Sequence, residues 1–147
     1  MKLKKIFNIF LLCFCFLNII SCSDDNDDDN NVYLKAEDLY QTVWRGTFND
    51  PNMDSSPYEV GLEFTTATSG TINYKLVDPT YRDDGRNNFT YNIEGKIVVL
   101  RVGYLFGGNW TVIKYNKKEL TMQRNLSSAD GKTVATLTLT RVNWFLD

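Results

Sequence analysis

The sequence predicts an all-β domain, a small antiparallel up-and-down barrel of eight strands, with a two-sheet β-sandwich as the alternative architecture. Three observations carry this reading. From Thr42 onward the apolar residues recur with period two, no long stretch of helical period interrupts them, and most segments are joined by short hairpin connections. Parity along the strands places Val60, Leu62 and Phe64, then Ile72, Tyr74 and Leu76, then Phe89, Tyr91 and Ile93, then Ala135, Leu137 and Leu139 on one face. Glu59, Glu63, Asn73, Lys75, Asn88, Asn92, Thr136, Thr138 and Thr140 fall on the other, so each strand has one side for a core and one for water. A meander with a single apolar face buries that face and removes its edges by closing on itself. Eight strands leave an interior just wide enough for side chains, or for one small ligand.

Taken in order, Ala36-Glu37-Asp38-Leu39-Tyr40 has the composition of one helical turn. The strands are expected at 43–49, 58–66, 71–77, 88–94, 97–103, 109–116, 119–125 and 133–142. Ala67-Thr68-Ser69-Gly70, Glu94-Gly95-Lys96, Asn116-Lys117-Lys118 and Ser128-Ala129-Asp130-Gly131 supply the Gly or Asn that tight hairpin turns require. The connections at 50–57 and 78–87 are longer and rich in Asp, Asn, Pro, Ser and Arg, as rim loops are.

The barrel occupies residues 36–147, and what precedes it has a different character. Lys2, Lys4 and Lys5 open the chain, and a nearly continuous apolar run follows to Ile20, the n-region and h-region of a signal peptide over residues 1–21. Ile19-Ile20-Ser21-Cys22 resembles the lipobox of bacterial lipoproteins, which implies cleavage before Cys22 and acylation of that residue, palmitate included. Residues 22–35 then form an acidic tether beginning Ser23-Asp24-Asp25-Asn26-Asp27-Asp28-Asp29, similar to the surface-export signal of Bacteroidetes lipoproteins. The expected location is the cell outer membrane, lipid-anchored and surface-exposed, with the membrane itself as a partner. Each buried methylene contributes about 0.8 kcal/mol, so two or more acyl chains hold a protein durably. With Cys13 and Cys15 leaving in the leader and Cys22 acylated, no disulfide is expected, and stability must come from packing.

Removing the leader's three lysines from 16 basic residues, and the five tether aspartates from 18 acidic ones, leaves 13 of each. A balanced domain has no basic footprint for nucleic acid. There is no His in the chain, and no phosphate loop or nucleophile elbow, which removes the usual bases, zinc constellations and nucleophiles. Glu59 and Glu63 share the outer, solvated face. Asp50-x-Asn52-x-Asp54-x-Ser56 spaces oxygens as calcium loops do, but it lacks Gly at the sixth position and has Gly61 where the bidentate acid belongs, so it reads as a polar turn. No catalytic residue, metal site or cofactor is expected.

Thr42-Val43-Trp44-Arg45-Gly46 and Ala135-Thr136-Leu137-Thr138-Leu139-Thr140-Arg141-Val142 resemble the opening and closing strands of lipocalin-like domains in Bacteroidetes lipoproteins, with Thr42 standing where the family has Gly. The resemblance implies a barrel-closing pair, Trp44 with Arg141 lying across its ring. Independently of the resemblance, Leu62, Phe64, Tyr74, Phe89, Tyr91, Leu100, Leu120 and Met122 would line the interior, and with no catalytic groups in the chain the expected task is a non-catalytic binding domain for a small hydrophobic ligand. The same residues would equally fill a solid core. Tyr81, Tyr104, Phe106 and Trp110 lie in or beside loops, and the alternative function is a surface module that uses such aromatics on a glycan or a protein partner.

Overall fold

The computed structural model describes residues 33–53, 57–78, 80, 83–126 and 133–143. The chain divides into two units, Met1–Asn30 and Asn31–Asp147, and every described residue belongs to the second. Cys22, Tyr81 and most of the acidic tether lie outside the described residues.

A short helix α1 (Ala36–Leu39) leads into eight strands, β1 (Thr42–Asn49), β2 (Tyr58–Phe64), β3 (Ser69–Leu76), β4 (Asp84–Glu94), β5 (Ile97–Arg101), β6 (Gly108–Tyr115), β7 (Glu119–Asn125) and β8 (Val134–Val142). Each strand pairs antiparallel with the next, and β8 returns to pair with β1, so the sheet is a closed up-and-down barrel and not a sandwich. The largest departure from the expected boundaries is β4. It starts at Asp84 rather than Asn88, because Lys75 and Tyr74 at the end of β3 stay in register with Asp84 and Gly85 and extend the ladder into the expected loop.

One end of the barrel holds α1, the β2–β3, β4–β5 and β6–β7 hairpins and the end of β8; the other holds the β1–β2, β3–β4, β5–β6 and β7–β8 connections. We call these the floor and the rim. α1 is held by its first turn, where the Lys35 amide donates to Asp38 Oδ2 at 2.9 Å and the Tyr40 amide to the Ala36 carbonyl at 3.0 Å. Gln41 adopts a positive φ of 55°, which swings the chain out of the helix and into β1. This aims Leu39, fully buried, into the barrel end.

The inward-facing residues form one core cluster in which Trp44, Phe48, Leu62, Phe64, Ile72, Leu120 and Met122 expose nothing measurable. Aromatic rings meet edge to face through it, Phe64 against Tyr91 at 5.0 Å and against Phe89 at 5.4 Å. Two inward positions are glycine for a steric reason. A Cβ on Gly46 would overlap the Thr138 carbonyl of β8, and one on Gly70 would overlap the Glu63 carbonyl and the Phe89 ring. The strands can therefore coil tightly at those points, as barrel closure demands.

Candidate ligand site at the barrel rim

The connection between β5 and β6, Val102-Gly103-Tyr104-Leu105-Phe106-Gly107, folds back over the rim. Its turn is closed by the amides of Phe106 and Gly107, which donate to the Gly103 carbonyl at 3.3 and 3.1 Å. Gly108, at φ 127°, then re-enters the sheet in a conformation that other residues rarely adopt. The result is to drive Phe106 down into the barrel mouth. Its ring lies 5.0 Å from Phe48 and 5.1 Å from Tyr74, with Tyr58 at 6.3 Å, and only 2 % of the residue is exposed.

Two side chains hold that loop from below. Trp110 points inward from β6, fully buried, and its indole Nε1–H donates to the Phe106 carbonyl at 2.9 Å. Arg124 sits at the rim end of β7 on the same parity as Leu120 and Met122, and its guanidinium lies 5.0 Å over the Trp110 ring. From there it donates through Nη2 to the Leu105 carbonyl at 3.1 Å and through Nη1 to the Gly107 carbonyl. Three successive loop carbonyls are thus taken by one Trp–Arg stack. Burial pushes the Arg124 guanidinium below its ordinary pKa, while the carboxylate of Asp50 acts the other way.

Above this clamp is a cavity of about 680 Å³, open to solvent. The loop after β1 contributes Asp50, Asn52 and Met53, and β5 with its following loop contributes Leu100, Val102, Tyr104 and Leu105. Gly107 and Gly108 shape one wall, and Arg124, Asn125 and Leu126 complete it. Asp50 is held in a polar turn, its Oδ1 accepting the Asn52 amide at 2.9 Å and its carbonyl the Met53 amide at 3.0 Å. Tyr104 projects fully from the edge, with a relative exposure of 101 %.

The structure distributes the candidate residues differently from a single lined pocket. Leu62, Phe64, Phe89, Tyr91, Leu120 and Met122 are packed inside the core, Tyr74 is partly buried beside Phe106, and of the eight Leu100 alone lines the rim cavity. Phe106 and Trp110 are interior residues rather than surface aromatics, because the loop folds inward and Trp110 shares the inward parity of Val112. Tyr104 stays outside.

Trp44 and Arg141 face each other directly across β1 and β8 at the floor. Trp44 is fully buried, and its Nε1–H donates to Thr42 Oγ1 at 2.7 Å, which in turn donates to the Leu39 carbonyl at 2.5 Å. Arg141 is exposed and acts on Tyr115, whose ring lies 6.4 Å from that of Trp44. The Arg–Trp stack among the described residues is Arg124 on Trp110, at the opposite end of the barrel. Glu59 stands exposed on the outer surface, opposite Lys75.

Arg124 is the residue that reading the sequence missed. A charged side chain on the inward parity of Leu120 and Met122 was the available signal, since a buried charge needs partners, and here they are loop carbonyls. Among the described residues no cluster of His, Cys, Asp and Glu could hold a metal ion. No family model, no curated protein and no solved structure matches the chain.

Proposed function

We propose that the chain is an outer-membrane lipoprotein, anchored through acyl chains on Cys22 and carrying a non-catalytic, lipocalin-like binding barrel at the cell surface. The observation that carries the binding role is the cavity of about 680 Å³ at the rim, which combines apolar walls from Met53, Leu100, Val102 and Leu105 with a few polar groups at its edge. Its volume falls within the range of small-molecule sites, and its open mouth leaves part of a ligand in contact with solvent. A ligand placed there sits at the rim beside the β5–β6 loop and not in the barrel interior, because the inward side chains already fill that space.

Composition supports the non-catalytic part. The chain has no His, and Glu59 and Glu63 point to the outer surface rather than into a shared site. The short apolar leader ending at Cys22, followed by the run of aspartates, supports the anchor.

Two experiments test the proposal. Cys22→Ser should abolish metabolic labelling with palmitate and move the protein from the membrane fraction to the soluble one; retained labelling would reject the anchor. Native mass spectrometry of gently extracted protein, with amide shifts at Gly107 and Gly108 during a screen of small molecules, tests the cavity. No co-purifying mass and no shift with any compound would reject it.

A further inference from the structure

We infer that the rim cavity takes a neutral saccharide, held by stacking on Tyr104 and by hydrogen bonds to Asp50, Asn52, Arg124 and Asn125; this rests on the cavity being the ligand site. Charge is the first argument. Asp50 and Arg124 line the same cavity with opposite sign, so a fatty acid carboxylate attracted by one meets the other, and a cation meets the reverse. A neutral molecule rich in hydroxyls engages both, since a carboxylate accepts only and a guanidinium donates only.

Shape is the second. A long acyl chain needs a channel, and the barrel mouth is filled by Phe106, packed against Phe48 and Tyr74. What remains is a shallow open cavity with an apolar wall and a polar edge, which suits a compact ring bearing both kinds of surface. A sugar ring is such a molecule, with C–H groups on its faces and hydroxyls around its rim.

The groups at the cavity edge fit a saccharide as well. Tyr104 offers a fully exposed flat ring beside the cavity, a platform for the C–H face of a sugar. Asp50, Asn52 and Asn125 end in planar groups with paired donor or acceptor positions, the geometry that meets two neighbouring hydroxyls at once, and Arg124, whose Nη atoms each serve a loop carbonyl, keeps further N–H donors for one more. Two of these are already oriented. Asp50 is fixed by the Asn52 amide, and Arg124 by the Leu105 and Gly107 carbonyls, so little ordering is left for binding to oppose.

The test uses the full-length lipidated chain in amine-oxide micelles, which carry no sugar. One arm titrates maltose, mannobiose, galactose and N-acetylglucosamine, a second soluble starch and mannan, and a third dodecanoate, all followed by the amide shifts of Gly107 and Gly108. Saturable shifts with at least one neutral sugar are expected, weakened about tenfold by Tyr104→Ala, which removes an exposed ring and leaves the fold alone. Asp50→Asn, which keeps the acceptor for the Asn52 amide, should weaken the same sugar severalfold. Equal affinity for a disaccharide and its polymer identifies a free sugar or chain end; a polymer preferred tenfold or more identifies a glycan chain. Saturation by dodecanoate but by no sugar overturns the saccharide assignment and leaves the cavity as a ligand site. Sugar binding unaffected by both substitutions overturns it too, and no response to any probe overturns the cavity reading itself.

Discussion

Replacing Arg124 by Met should release the β5–β6 loop from the barrel mouth. In the native fold its guanidinium supplies hydrogen bonds to the carbonyls of Leu105 and Gly107 and lies 5.0 Å over Trp110. Bonds from a charged donor contribute roughly 1.5–3 kcal/mol each, and the ring contact about 0.5–2 kcal/mol. Arg124 is half-buried at the rim, so water reaches the abandoned carbonyls and solvent screening reduces the gross sum by about half, to ~2–4 kcal/mol. For a domain of this size that lowers Tm by about 8–16 °C. Arg124→Lys keeps the charge but not the planar fork, and should fall close to Met rather than to the native residue. Urea and thermal melts followed by circular dichroism measure the loss. Hydrogen exchange at the Phe106 and Gly107 amides, both bonded to the Gly103 carbonyl, reports the loop directly. Melts of both variants within about 0.5 kcal/mol of native, with unchanged exchange at those amides, would refute the clamp.

Three further outcomes follow from the floor, the seam and the core. Thr42→Val removes the hydroxyl that links the buried Trp44 indole to the Leu39 carbonyl, and should cost about 2–4 kcal/mol in a urea melt, while Thr42→Ser, which keeps it, should cost about 1 kcal/mol; equal losses would show that the relay contributes nothing. Gly46→Ala puts a methyl into the Thr138 carbonyl across the β1–β8 seam and should destabilise by about 2–3 kcal/mol or prevent closure, and a melt unchanged from native would contradict that geometry. Burial raises the pKa of Tyr91 above the ordinary 10.0, and its hydroxyl donates to the Thr66 carbonyl at 3.0 Å. The unfolded chain therefore loses that proton first, so the stability Tyr91 contributes is complete below pH 10.0 and is lost as pH climbs through the higher folded value. Tyr115 is raised as well, first by burial and then by Asp38, against an opposing effect of Arg141. Tyr91→Phe should make the alkaline fall in stability shallower; an identical fall would exclude this origin.

Most of the architecture was legible because a barrel strand repeats every two residues and announces its own inner face. Leu137 and Leu139, separated by Thr138, need no knowledge of distant residues to be assigned to the core side. The start of β4 was not legible, since Asp84-Gly85-Arg86-Asn87 has a loop's composition and becomes strand only through pairing with β3. The rim site was hidden for a related reason. Phe106, Trp110 and Arg124 belong to a loop and two strands, and the contact that unites them exists only once β6 and β7 are paired and the loop has turned inward.

Sequence alone determined the eight-stranded periodicity, the inner and outer faces of β2, β3, β4 and β8, the charge balance and the absence of His, because these are local or additive properties of the chain. Tertiary structure decided which end of the barrel carries a Trp–Arg stack, that Phe106 fills the mouth, and that the cavity lies outside it among Asp50, Tyr104 and Arg124. The direction in which a loop folds depends on carbonyls finding donors far along the chain, and no local pattern encodes that choice.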